Sequence, residues 1–293
     1  MEKKATLYKI IYFFLTKMIV SAGIIVSLVA LIEWLRSSIL DKTGISDNSK
    51  ALIVSVLEAL VAVAGYIFIF RAYEKRRIQE LSAAAFRDAS LMGFLTGIGL
   101  QGLFILIIYL SGGYLIYHIN PVSVLVGPLA FAVTAGFVAE IIMIGILFRI
   151  LEEQTGTINA VILFIILFAV LHINIQGATV VSVGATAMQA GLLLPAAYVF
   201  SRNLWLPIFI HLGWDFAEPG IFGGINPSGS MTKGLLASKI SGNSLITGGQ
   251  TGPQDSLSSL LLCLLLGLVF LYLAKRRNKM IQPLWRRQSL AKG

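Results

Sequence analysis

Long apolar runs alternate with short polar connections along most of this 293-residue chain. Eight stretches stand out, at roughly 15–35, 51–70, 91–112, 121–148, 157–173, 178–200, 203–218 and 256–274. They are apolar on all sides, so they predict helices and not the alternating strands of about 10 residues that build a membrane barrel. A helix crossing a bilayer needs about 20 such residues, which leaves the fifth and seventh stretches short. Helices satisfy their own backbone hydrogen bonds, as lipid requires. The pattern therefore predicts an all-α polytopic membrane protein with about eight transmembrane helices.

Composition agrees, with 57% hydrophobic and 13% charged residues. A soluble domain carries about 25% charge, so this chain lacks the polar residues to cover a water-facing surface. The lone Cys263 excludes an intramolecular disulfide and argues against a cysteine metal site. Lys9 and Lys17 interrupt the first apolar stretch, and no cleavable signal is read there. The chain divides into an N-terminal hairpin and basic loop (1–80), a membrane core (81–275) and a basic tail (276–293).

The net charge of +9 is a matter of topology. With eight spans one side collects Lys3, Lys4, Lys9, Arg71, Lys75, Arg76, Arg77, Arg87, Arg149, Arg202, Lys275, Arg276, Arg277, Lys279, Arg286, Arg287 and Lys292. The other side holds only Arg36, Lys42, Lys50, Lys233 and Lys239, with Lys17 in or beside the first span. The positive-inside rule then places both termini in the cytoplasm. The basic residues face anionic headgroups of membrane lipids, and no nucleic-acid partner is expected. Lys75-Arg76-Arg77 reads as a solvated edge, and Glu33 with Arg36, beside Trp34, as an interfacial anchor.

A loop at 218–255 is rich in glycine and serine and nearly uncharged: Pro219-Gly220, Gly223-Gly224, Asn226-Pro227-Ser228-Gly229, Ser241-Gly242-Asn243, Thr247-Gly248-Gly249. Loops beyond about 15 residues are usually functional or disordered. Its apolar members Ile221, Phe222, Leu235, Leu236, Leu245 and Ile246 predict that it folds onto the membrane face.

An ionisable group in the bilayer core costs about 2.5–3.5 kcal/mol on insertion scales, so each marks a functional hypothesis. Here they are Glu58, Glu140, His172, His211 and Asp215, with His118 near an outer boundary. At 1.5 Å per residue, Glu140 lies roughly 18 Å, His211 roughly 12 Å and His172 roughly 22 Å from the same side. The overlap predicts one polar cavity. His211 and Asp215, four residues apart, share a helix face. Glu58 reads as a partner for a neighbouring helix.

A Glu-bearing helix, then Phe168-x-x-x-His172, then His211-x-x-x-Asp215 resembles the CPBP family, the CAAX-type and bacteriocin-processing intramembrane proteases also called the Abi family. The flanks Gly145 to Glu153 and Asn203 to Ile208 are similar to the segments around the family's motifs, and the glycine-rich loop resembles that of bacterial members. The resemblance implies a CAAX-protease-like bundle in a bacterial plasma membrane. It also implies a glutamate that activates water and histidines that stabilise the oxyanion. The family's first motif, Glu-Glu-x-x-x-Arg, reads here Ala139-Glu140 followed by Ile144. Adjacent helical residues diverge by about 100°, so Glu140 is not a simple replacement for a base at 139.

Three readings follow. One is an intramembrane endopeptidase using Glu140 or Asp215 as base, with His172 and His211, on a membrane-embedded or membrane-proximal peptide or protein. Another is a non-catalytic scaffold or regulator that binds such segments. The third is a transporter or proton relay through Glu58, Glu140, His172 and His211, weakened because no inverted repeat is visible. No cofactor is expected. Zinc on Glu140, His172 and His211 is the alternative, unsupported by any H-E-x-x-H spacing.

Overall fold

A computed structural model describes residues 13–223 and 234–290. The expectations placed on Lys3, Lys4, Lys9, Gly224, Asn226 to Gly229, Lys233 and Lys292 lie outside these residues. Helices form at the expected stretches: α1 (Phe14–Ser38), α2 (Asp47–Tyr73), α3 (Ala83–Leu110), α4 (Val122–Thr155), α5 (Thr157–His172), α6 (Val180–Ser201), α7 (Trp205–Phe216) and α8 (Leu257–Arg276). Among the described residues six of them, α1 to α4, α6 and α8, are long and apolar enough to cross a membrane. The chain is an integral membrane protein. The count of eight crossings is not reached by this measure. α5 stops after 16 residues, and α7 has only 12 residues before its winding changes at Ala217–Phe222.

The bundle is not purely helical. β1 (Tyr114–Ile119) pairs antiparallel with β2 (Leu236–Ile240), so the glycine-rich loop returns to the end of α3. Phe222, Ile240 and Ile246 pack on Ile105, Ile108 and Tyr114, so apolar members of the loop turn back onto the bundle. The Tyr114 and Ser238 hydroxyls both donate to the Phe222 carbonyl, at 2.7 and 2.6 Å. His118 on β1 is exposed and pairs with Asn120.

Small residues set the position of α7. A Cβ on Gly97 of α3 would lie 2.2 Å from the Ile210 carbonyl oxygen, and one on Gly213 of α7 would lie 2.4 Å from that of Phe94. Backbone therefore meets backbone where α3 crosses α7, a packing that membrane helices achieve with glycine. Because Ile210 and Gly213 flank His211, this contact fixes where the imidazole sits.

At the opposite end from β1 and β2, charged side chains interlock. Arg76 pairs with Glu74 at 2.8 Å and with Glu80, which also accepts from the Tyr66 hydroxyl. Arg149, buried and 4.4 Å from the Phe70 ring centroid, pairs with Glu153 at 2.7 Å and Glu74 at 3.3 Å. Arg202 forks onto fully buried Glu152 at 2.6 and 2.9 Å and donates to the Lys279 carbonyl, which straps the tail to the bundle. The charge run at 75–77 is thus not uniformly solvated. Arg76 folds inward because two carboxylates and a tyrosine outcompete water for its guanidinium.

Candidate functional site

The polar centre is assembled from α4, α5, α6 and α7. Glu140 sits between two π-wound stretches of α4, Ala135–Ala139 and Ile141–Phe148. A π turn closes i to i+5 and often marks a functional position. Its carboxylate is 3% exposed, and Oε1 lies 2.8 Å from His211 Nδ1. On the other side of the ring, His211 Nε2 is 3.3 Å from Asp215 Oδ2, one turn along α7. Glu140 Oε2 is buried with no hydrogen-bond partner in the protein.

A cavity of 220 Å³ adjoins this array, and His172, His211 and Asp215 line it while Glu140 does not. His172 reaches it from the end of α5, with Nδ1 held 2.9 Å from the Phe168 carbonyl and the Phe168 ring stacked on the imidazole. The Phe-x-x-x-His spacing thus places an aromatic ring and a carbonyl on the same imidazole. Glu58 is elsewhere: it accepts from Thr134 at 2.6 Å where α2 meets α4. That contact is a helix-to-helix tie, and Glu58 does not line the cavity.

Residues 121–217 match the family described as type II CAAX prenyl endopeptidase Rce1-like. The match spans about a third of the chain, and that segment is similar to the CPBP family. The matched segment contains Glu140, His172, His211 and Asp215, so the array and the match coincide. Neither the curated proteins nor the solved structures compared with the chain gave a match.

Within the matched segment, the two positions where the first motif departs have different surroundings. Ile144 is buried among apolar side chains, and Ala139 is only partly covered. A guanidinium at 144 would therefore have to enter packed hydrocarbon. Among the described residues no three His, Cys, Asp or Glu side chains converge as metal ligands would. Both nitrogens of His211 face carboxylates, so it offers no free nitrogen to the zinc ion weighed as an alternative on Glu140, His172 and His211.

Hydrogen-bonding rules constrain the protons here. A carboxylate only accepts, and a neutral imidazole donates from one nitrogen. For His211 to bond both Glu140 and Asp215, the three groups must hold one proton more than a neutral imidazole and two carboxylates. That extra proton can be passed within the array without fetching one from water.

Neutral side chains that sequence reasoning passed over complete the wall. Gln189, in a π-wound stretch of α6, donates to Ser259 at 2.8 Å, and Gln254 of the glycine-rich loop accepts from Trp214 Nε1 at 3.4 Å. Glu218, at the shared boundary of the seventh apolar stretch and the loop, lies buried in the π-wound continuation of α7, where it accepts from Gln101 Nε2 at 2.8 Å. Its spacing from Asp215, and a glutamine within an otherwise apolar α3, were the available signals.

Proposed function

We propose that this protein is an intramembrane endopeptidase that hydrolyses a membrane-embedded or membrane-proximal peptide at the cavity shared by His172, His211 and Asp215. The supporting observation is His211, held between Glu140 and Asp215 at the cavity wall. Glu140, hidden behind the ring, orients the imidazole. Asp215 faces the cavity and takes the proton of the attacking water as its oxygen bonds to the peptide carbon. As Asp215 becomes protonated, the His211 Nε2–H turns from it to the oxyanion, while His172, its Nδ1–H held on the Phe168 carbonyl, positions the attacking water by accepting at Nε2. When the C–N bond breaks, the proton held on Asp215 passes to the leaving amine. The charge distribution favours cytoplasmic termini, in a bacterial plasma membrane.

A second reading has a specific observation behind it. Ala139 and Ile144 stand where the family's glutamate and arginine are expected, which favours a relative that binds peptide without turnover. Cleavage of a fluorogenic membrane-proximal peptide by protein in lipid nanodiscs separates the two. Asp215→Asn is expected to lower kcat by about two to four orders of magnitude with little change in Tm. If the wild type shows no turnover above His172→Ala, the protease reading fails and peptide binding remains. Ala139→Glu then tests the motif at the position that has room for a side chain.

A further inference from the structure

The charged end of the bundle contains a cleft of 1150 Å³ that the proposed catalysis does not use. Arg71, Lys75, Arg76, Arg77 and Arg202 line it, and no carboxylate does. Two of these cations are neutralised from behind, Arg76 by Glu74 and Glu80 and Arg202 by Glu152. Arg71, Lys75 and Arg77 are exposed, and among the described residues none of the three has an acidic partner within ion-pair distance. Three positive charges therefore face one concave space without compensation. Ser82, at the start of α3, also lines it, and no side chain caps that helix.

The surroundings specify the ligand further. One turn before Arg71 on α2, Phe68 is 74% exposed, and one turn after Ser82 on α3, Phe86 is 44% exposed. Concentrated positive charge above an apolar helix face matches a molecule with an anionic head and hydrocarbon tails. A soluble phosphate would satisfy the cations but leave the aromatic faces uncovered.

We infer that this cleft binds the phosphate headgroup of an acidic lipid from the adjoining leaflet, held by Arg71, Lys75 and Arg77. Guanidinium and ammonium groups donate to the phosphate oxygens while the acyl chains lie against α2 and α3. Bound there, the lipid would rest on the same connection, 74–80, that anchors Arg149 and Tyr66.

Native mass spectrometry of protein released from micelles doped with phosphatidylglycerol or phosphatidylcholine tests this. The wild type is expected to retain phosphatidylglycerol selectively. Arg71→Gln/Lys75→Gln/Arg77→Gln is expected to weaken retention on the order of 100-fold. A control at the same membrane level, Lys275→Gln/Arg276→Gln, is expected to retain it. Because Arg71 lies in the last turn of α2, Arg77→Gln alone is the second variant, with an expected loss of about 5-fold and an unchanged Tm. Equal retention by the triple variant and the wild type overturns the proposal, as does an equal loss in the control. Complete displacement of the lipid by millimolar inorganic phosphate would also overturn it, since the ligand would then be a free anion.

Discussion

The charged end and the cavity region both bury polar groups, and they treat them in opposite ways. At the charged end each buried carboxylate meets a cation: Glu152 takes the Arg202 fork and the Thr157 hydroxyl, and Glu80 takes Arg76 and Tyr66. Beside the cavity, Glu140, Glu218 and Gln101 each keep one buried oxygen without a partner in the protein. Such an atom costs about 1–3 kcal/mol unless something else bonds it. The contrast separates two uses of buried polarity. Ion pairs hold the connections between helices in place, with Arg149 Nη2 the one buried nitrogen of that network left over among the described residues, whereas the open acceptors lie behind the lining of the cavity, beside the place where chemistry is proposed.

The largest test of this contrast is Arg202→Met. It strips the fork from Glu152, which is 1% exposed at its side chain, and strands a buried charge. Stability measured by unfolding in mixed micelles is expected to fall by about 3–5 kcal/mol. A loss below about 1 kcal/mol would mean that the charged end is decoration.

Acid should act on the same end. Burial alone would raise the pKa values of Glu74 and Glu80, but it is outweighed. Arg149, Arg76 and Lys17 hold Glu74 below its ordinary 4.5, and hydrogen bonds from Arg76 and Tyr66 do the same for Glu80. A carboxylate whose folded pKa is depressed contributes stability above its unfolded pKa and loses it as pH falls through the folded one. Tm is expected to be insensitive to these groups at neutral pH and to drop below about pH 4.5. A Glu74→Gln/Glu80→Gln variant with an unchanged acid limb would assign that limb to other groups.

The smallest expected effect lies beside the cavity. Glu218→Gln keeps an acceptor for Gln101 Nε2 and removes no ion pair, so stability should change by no more than about 1 kcal/mol. A loss equal to that of Arg202→Met would erase the difference between the two regions.

Hydropathy alone located the helices, because lipid demands apolar stretches of a set length. It also showed α5 and α7 as short. The meeting of His211 with Asp215 was legible from their spacing, a local property of one helix. Contacts between distant segments were not. Arg76 read as solvated because nothing in its neighbourhood announces that Tyr66 and Glu80 close around it. Glu140 could not be placed against His211 because its direction depends on π winding, for which no sequence rule was available. Gln101, Gln189 and Gln254 escaped notice because uncharged amides carry little insertion penalty.

The winding around Glu140 bears on how the departed motif should be measured. In an α-helix, positions five apart point to different sides; in a π turn, closed i to i+5, they come one above the other. Ala139 and Ile144 are five apart and bracket the junction between the two π-wound stretches. An acid and a base at that interval could touch across one such turn and not across an ordinary one. The backbone here keeps the pitch such an ion pair would need, while the side chains offer it a methyl group and a hydrocarbon branch. Residue count is therefore a poor ruler along this helix, and angle is the better one.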